Sequence, residues 1–309
     1  MNIGTNGIVV DQHGNVLLIK RNDTRTYAPP GGGVDAGEHL PDAAAREVRE
    51  ETGLIVLPVR LAAVTFLPLP PTGYLGFAFR CLLRGGEITT SEESPVVGFF
   101  SSNPLPRRMS SFHRERVGKT LNHAEERPLF FKHSVSTFNK ASLFVLRNVI
   151  YRWMDVKRAW QGKPPYQAPP TWDVHTYLLV QNEAGAYLWH RPDEQSTWQL
   201  PGGQTAGLMA PWETAVQFAQ QQTGLHLRPQ QLCDVFLGPD TTRLTLVFLA
   251  APALSAAEVA AHSPPSSSNL CWIAPGNKPS NCAPYQQQMT NLATVVSQPT
   301  QFHKLEENG

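Results

Sequence analysis

Shifting the sequence by 171 positions brings several of its segments into register, and this self-similarity constrains the fold more than any other feature. Gly14 falls on Gly185, Leu17 on Leu188 and Lys20 on Arg191. Pro30-Gly31-Gly32 falls on Pro201-Gly202-Gly203, and Thr52-Gly53-Leu54 on Thr223-Gly224-Leu225. Pro58, Leu61 and Val64 fall on Pro229, Leu232 and Val235. A constant offset over some fifty residues predicts two copies of one supersecondary unit, and 309 residues hold two domains of ordinary size.

Each copy shows the same order of signals. Apolar segments, residues 8–10 and 16–19 in the first copy and 177–180 and 186–189 in the second, flank Gly14 or Gly185, which predicts a strand broken at a hairpin turn. A Pro-Gly-Gly loop follows. A helix is then expected over residues 40–52, with Pro41 in its first turn and Gly53 at its C-cap. Further strands are expected at residues 76–83 and 244–249, giving a mixed sheet with helices packed on it.

The first copy also carries a chemical pattern. Gly32 is followed after five residues by Glu38, and after seven more by Arg46-Glu47-Val48-Arg49-Glu50-Glu51-Thr52-Gly53-Leu54. On a helix, Glu47 lies three and four positions from Glu50 and Glu51, so all three carboxylates share one face. An isolated E-x-x-E-E would pass for a solvated acidic face. Clustered hard oxygen donors also suit Mg²⁺ or Mn²⁺, with water or substrate phosphate completing the shell. Arg46, four residues before Glu50, can hold that carboxylate, and Gly31, Gly32 and Gly33 permit close backbone approach to a metal or phosphate.

The run matches every fixed position of the Nudix box, G-x5-E-x7-R-E-U-x-E-E-x-G-U, where U is a bulky apolar residue. About 10⁻⁷ such matches are expected by chance in a chain of this length. The first copy therefore resembles the Nudix hydrolases over residues 1–106, and residues 172–275 resemble them in weakened form. The resemblance implies an α+β protein, two tandem α/β/α sandwiches, each a mixed β-sheet between helices. The expected divisions are a catalytic domain at 1–123, a basic helical connector and linker at 124–171, and a degenerate Nudix-like domain with a polar tail at 172–309.

It also implies a metal-dependent pyrophosphohydrolase in which water attacks phosphorus in a nucleoside diphosphate linked to another moiety. By motif position, Gly32 (through its carbonyl), Glu47, Glu50 and Glu51 would ligate Mg²⁺ or Mn²⁺. Glu47, Glu50 and Arg46 would take catalytic parts, with Arg46 as orienting partner and Glu38 in support. Gly31, Gly32, Gly33, Arg21 and Tyr27 are candidate substrate contacts. Tyr27 stands where many Nudix proteins have Trp, with either core packing or base stacking as its role. Phe99–Pro106 is similar to the family's W-F-x-x-x-x-L-P segment, which places Glu93 near the position of a further acid, either a metal or general-base residue or an ordinary loop acid. Pro70 and Pro71, sixteen and seventeen residues after Leu54, resemble a weak ADP-ribose-hydrolase marker within a proline-rich run and assign no substrate.

At the same offset the second copy has lost its acids. Glu38 becomes Met209, Arg46 becomes Gln217, Glu47 becomes Phe218, and Glu50 and Glu51 become Gln221 and Gln222. Glu93 maps near residues 266–268, which hold no acid. The helix is expected to persist without metal chemistry, in a structural, dimerising or ligand-sensing role. A regulatory protein that senses a nucleotide is the rival to the enzyme reading, and the intact first box weighs against it.

The formal net charge of +1 conceals an uneven distribution. Residues 107–163 carry 13 basic and 4 acidic side chains, between two acidic ends. In residues 111–123 a closing helix is expected, with Arg114, Arg116 and Lys119 exposed and Phe112 and Val117 inward. Residues 140–160 have the pattern of a second, amphipathic helix. It is expected to pack between the domains, with substrate-anion, membrane-surface or nucleic-acid contact as the sharper alternatives. Residues 162–171 resemble a linker, 263–268 a surface loop, and the segment from Ser297 a frayed tail. Cys81, Cys233, Cys271 and Cys282 form no C-x-x-C pair and are expected to be idle thiols in a reducing cytoplasm. Neither a signal peptide nor a membrane span is expected. The oligomeric state is open.

Overall fold

A computed structural model describes residues 1–134, 170–238, 241–252, 269–274, 276–277, 279–282, 289 and 300–304. The expected helix at 140–160, the loop at 263–268, and most of the linker and tail lie outside the described residues. No helix among the described residues is long and apolar enough to cross a membrane.

The first half builds a four-stranded mixed sheet in the order β1-β5-β4-β7, from β1 (Asn2–Val9), β4 (Leu54–Leu67), β5 (Tyr74–Gly86) and β7 (Leu129–Lys132). β5 runs parallel to β1 and antiparallel to β4, and β7 runs parallel to β4. A small antiparallel sheet, β3-β2-β6, is formed by β2 (Val16–Lys20), β3 (Tyr27–Ala28) and β6 (Val96–Phe100).

Period-2 alternation assigns the large sheet's two faces. Ile3, Val64, Phe66, Leu75, Phe77 and Phe79 pack with Leu40, Ala43, Ala44 and Val48 of helix α1 (Leu40–Thr52). Ile8, Ala63 and Ala78 point the other way, toward Val16 and Leu18 of β2 and Val117 of helix α2 (Ser111–Asn122). The architecture is α+β, with the sheet held between α1 on one face and α2 on the other.

Two expectations change. Neither residues 8–10 and 16–19 nor residues 177–180 and 186–189 form a hairpin within one sheet. β1 pairs with β5, β2 pairs with β3 and β6, and a single bridge from Val10 to Val16 joins them. The Asp11 carboxylate closes the turn by accepting from His13 N, Asn15 N and Asn15 Nδ2. Arg116, expected on the surface of α2, is fully buried. Its guanidinium donates to Asn6 Oδ1 and, at 2.8 Å, to Thr65 Oγ1, and it lies 5.9 Å from the Tyr74 ring centre. Three neutral oxygens or rings on β1, β4 and β5 thus draw it inward.

Residues 173–304 contain a five-stranded sheet of order β10-β8-β12-β11-β14, built from β8 (Asp173–Val180), β10 (Gly202–Gln204), β11 (Leu227–Leu237), β12 (Arg243–Pro252) and β14 (Gln301–Lys304). β12 is parallel to β8 and antiparallel to β11, and β14 is parallel to β11. β9 (Tyr187–His190) pairs with β13 (Leu270–Ile273), and helix α3 spans Pro211–Thr223.

Helices α1 and α3 end alike. Gly53 (φ 75°) and Gly224 (φ 73°) adopt the left-handed conformation and donate to Arg49 O and Gln220 O. Their surroundings differ. A Cβ on Gly53 would strike Glu87 O and Thr89 Oγ1, whereas one on Gly224 would meet nothing within 4 Å. Gly224→Ala is therefore expected to cost about 1 kcal/mol, the conformational penalty alone. Gly53→Ala should cost clearly more, and denaturant unfolding of the two variants tests the difference.

Candidate metal centre and active site

Packing Ala43, Ala44 and Val48 of α1 on the sheet leaves Arg46, Glu47 and Glu51 toward the Pro-Gly-Gly loop, with Glu50 more exposed beside Arg46. Gly31 lies so close to β1 that a Cβ would overlap Thr5 O and Asn6 Nδ2. The loop is held from below as well, because Asn6 Nδ2 donates to Pro29 O at 3.3 Å and Gly7 N to Pro30 O at 3.0 Å. Asn6 in turn accepts from the buried Arg116.

Glu51 closes the loop from above, its Oε2 accepting from Gly31 N at 2.7 Å. Burial pushes the Glu51 carboxyl up to about 7. The Gly31 amide and the Arg21 charge oppose this, while the charges of Glu47 and Glu93 add to it. Glu47 lies against Gly32, where a Cβ would come within 2.6 Å of its carboxylate. Its carboxyl is also raised, by burial first and then by the charges of Glu50 and Glu38, against the Arg46 guanidinium.

Arg46 is the hub. It forms a bidentate pair with Glu38 at 2.7 and 2.9 Å, donates to Gly33 O at 3.1 Å, and reaches Glu47 at 2.9 Å and Glu50 at 3.3 Å. Glu38, expected only in support, is thus the primary partner, and Glu50, the expected one, has the longest of these bonds. Burial alone would raise the Glu38 carboxyl, but the Arg46 bonds and the Asp35 amide outweigh it and hold the group below its ordinary range. Bonding to Glu38 raises the Arg46 pKa.

The other expected residues fall around this centre. Arg21, at the end of β2, pairs with Asp23 at 2.6 Å and lies near enough to Glu51 and His113 to influence both. Glu93 is exposed, its carbonyl accepts from Asn22 N at 2.9 Å, and its charge bears on Glu51. Tyr27 packs edge-on against Phe100 at 4.9 Å beside the core behind β2. The Gly32 carbonyl accepts from Thr5 N at 2.9 Å, leaving its second lone pair for a cation. Cys81 is free and buried, its thiol pushed up to about 12, in keeping with an idle thiol.

Among the described residues no three acid, imidazole or thiol groups already stand as a metal cage, and Arg46 bridges Glu47 and Glu50 instead. The donor chemistry nevertheless suits a hard divalent cation. It comprises oxygen ligands only, two of the carboxylates raised by burial and mutual repulsion, and a backbone carbonyl beside them.

His113 is not foreseen by the sequence, and Arg116 is foreseen only as a surface residue. His113 Nδ1 and Arg116 Nε are buried without hydrogen-bond partners among the described residues. Burial, then the charges of Arg116, Arg21 and His133, hold the His113 imidazole neutral. Both residues lie on the inward stripe of α2 with Val117 and Thr120, so the three- and four-residue spacing was the available signal.

A NUDIX domain model matches residues 2–117. The MutT-like protein of Streptomyces ambofaciens is 34% identical over 118 residues, covering 38% of this chain and 75% of that protein. The ADP-ribose pyrophosphatase of Methanocaldococcus jannaschii is 33% identical over 116 residues, covering 36% of this chain and 68% of that protein. Among solved structures, an ADP-ribose pyrophosphatase from Streptococcus suis 89-1591 is 25% identical with a TM-score of 0.36, covering 42% of this chain and 98% of that one. The chain belongs to the Nudix family. Its enzyme class is that of the Nudix pyrophosphohydrolases.

In metal-free protein the raised Glu51 pKa has a definite sign. The native state holds this proton more tightly than the unfolded chain, whose carboxyl titrates near its ordinary 4.5. Protonation therefore stabilises the fold as pH falls through about 7, the gain is complete near 4.5, and it is absent at higher pH. Glu51→Gln removes the charge. In chelator at pH 8 this variant should be more stable than wild type, by up to about 3 kcal/mol, and the difference should shrink toward pH 5. Thermal unfolding across that range checks it.

Proposed function

We propose that residues 1–123 hydrolyse the pyrophosphate linkage of a nucleoside diphosphate joined to another moiety. The observation that carries this reading is the crowding of Glu47 and Glu51 beside the Gly31-Gly32 backbone, both carboxyls raised by burial and by their neighbours' charge, with Arg46 tying the more exposed Glu50 to Glu47. Glu47, Glu50, Glu51 and the Gly32 carbonyl would hold Mg²⁺ or Mn²⁺, as Nudix hydrolases generally use such ions. A bound divalent cation would neutralise developing charge on phosphate and lower the pKa of the attacking water.

The chain's own residues do the rest. Arg46 orients Glu47 and Glu50 through its bond to Glu38. Glu51 sets the loop through Gly31. Either a box glutamate or Glu93 accepts the proton of the attacking water. Arg21 and the Gly31–Gly33 backbone meet the anionic substrate. The printed names of the relatives include an ADP-ribose pyrophosphatase and a putative 8-oxo-dGTP diphosphatase, which fits a nucleoside diphosphate-containing substrate.

Residues 172–309 are, in this reading, a degenerate second copy without catalysis. The shared order of elements and strand directions supports it. So does the chemistry at each lost position. Phe218 lies against Gly203 where Glu47 lies against Gly32. Gln222 accepts from Gly202 N at 2.9 Å and donates to Gly202 O at 2.8 Å, so the amide closes both backbone groups where Glu51 can take only the N–H.

With Mg²⁺ and a panel of nucleoside triphosphates, nucleotide sugars, ADP-ribose and dinucleoside polyphosphates, wild type should turn over at least one member. Glu38→Gln, which weakens the Arg46 clamp, should lose about 10–100-fold in metal affinity or activity. Glu50→Gln or Glu51→Gln should lose more. Full activity in both of these would sink the assignment.

A further inference from the structure

The half without box acids is interlocked with the half that has them. The Met1 ammonium donates to Trp172 O at 2.6 Å, and Trp172 N donates back to Met1 O at 2.8 Å. These two residues are related by the 171-residue offset, so the pair is reciprocal. A second reciprocal pair comes from the edge strands. Phe130 on β7, opposite Val64, packs on Phe248 of β12 at 5.1 Å. Phe302 on β14, opposite Val235, packs on Phe79 of β5 at 5.5 Å. Asn2 opposes Tyr74 and Asp173 opposes Arg243, so Phe79 and Phe248 occupy the same register in their sheets. One apolar cluster runs through both halves. Such an arrangement fixes one half firmly against the other.

The fixed geometry delivers a contact to the box. At the turn between β11 and β12, the Thr241 carbonyl accepts from Gly37 N at 2.6 Å. Gly37 is in the left-handed region at φ 77°, and a Cβ there would sit 3.4 Å from the Thr241 methyl. The next residue is Glu38, the main partner of Arg46. Within the short loop, Glu38 N donates to Asp35 O and Asp35 N to Glu38 Oε2, both at 3.0 Å, and Arg46 holds its two ends at Gly33 and Glu38.

We propose that the second half acts as a covalently attached partner for the first, and that Thr241, through its carbonyl, is a positioning residue for the Glu38–Arg46 clamp. The chain of contacts runs from Thr241 to Gly37, then from Glu38 to Arg46, and ends on Glu47 and Glu50. The proposal rests on the reading that these acids hold a divalent cation. It gives the half without the box acids a function that requires no ligand of its own.

The test uses the full chain and Mn²⁺ alone, with free Mn²⁺ followed by electron paramagnetic resonance. Thr241→Ser keeps the carbonyl and should bind Mn²⁺ as wild type does. Deleting Thr241 should weaken Mn²⁺ binding about tenfold, lower kcat more than it changes KM, and speed hydrogen exchange at Gly37. Should the deletion fail to fold, Phe302→Ala loosens the same interface from the far side. Faster Gly37 exchange in that variant should come with weaker Mn²⁺ binding. Wild-type Mn²⁺ affinity in the deletion variant, or faster Gly37 exchange in Phe302→Ala without loss of affinity, would overturn the proposal. Wild type that binds no Mn²⁺ would overturn the metal reading itself, and is distinguished by needing no variant to appear.

Discussion

A single contact, from the Gly31 amide to the Glu51 carboxylate, ties the end of a charged helix to the loop that faces it. Together with the bonds from β1 to Pro30 and Gly32, it clamps the loop between helix and sheet. The loop can approach only because Gly31 has no Cβ to strike Thr5 and Asn6. The closure buries an anion beside two others, which raises its pKa and leaves the metal-free site under repulsion. Arg46 relieves part of that repulsion by binding Glu38, Glu47 and Glu50 together. The arrangement serves stability poorly, and its oxygen donors have the chemistry that suits a hard divalent cation.

The second half shows the same loop closed by different chemistry. Gln222 spans the Gly202 amide and carbonyl with two neutral bonds, and Phe218 fills the place of a carboxylate. The backbone contact matches that of Gly31 and Glu51, made here without charge. The amide also satisfies the Gly202 carbonyl, so this closure needs no further partner. The reciprocal Met1–Trp172 and phenylalanine contacts then set this half against the other at a fixed angle.

Much of this was legible in the sequence. The 171-residue offset, α1 with its Pro41 start and Gly53 stop, and the grouping of Glu47, Glu50 and Glu51 followed from spacing alone. Four things did not. Arg116 looked like a surface cation because helical spacing assigns a face without saying what lies opposite, and its partners Asn6 and Thr65 come from distant strands. Glu38 looked secondary because its bond to Arg46 spans a loop, whereas the i, i+4 rule sees only Glu50. The split of β1 and β2 between two sheets is a matter of which strands pair, and a turn signal at Gly14 cannot reveal that. The Gly37–Thr241 contact joins residues 204 positions apart and left no local trace.

The most direct test of the account is turnover of a nucleoside diphosphate-containing panel with Mg²⁺ by the intact chain, set beside Glu51→Gln and Gln222→Ala. The account predicts hydrolysis at the pyrophosphate linkage of at least one compound, lost in Glu51→Gln and retained in Gln222→Ala. Activity that survives Glu51→Gln, or that vanishes in Gln222→Ala while the protein remains folded, would contradict it.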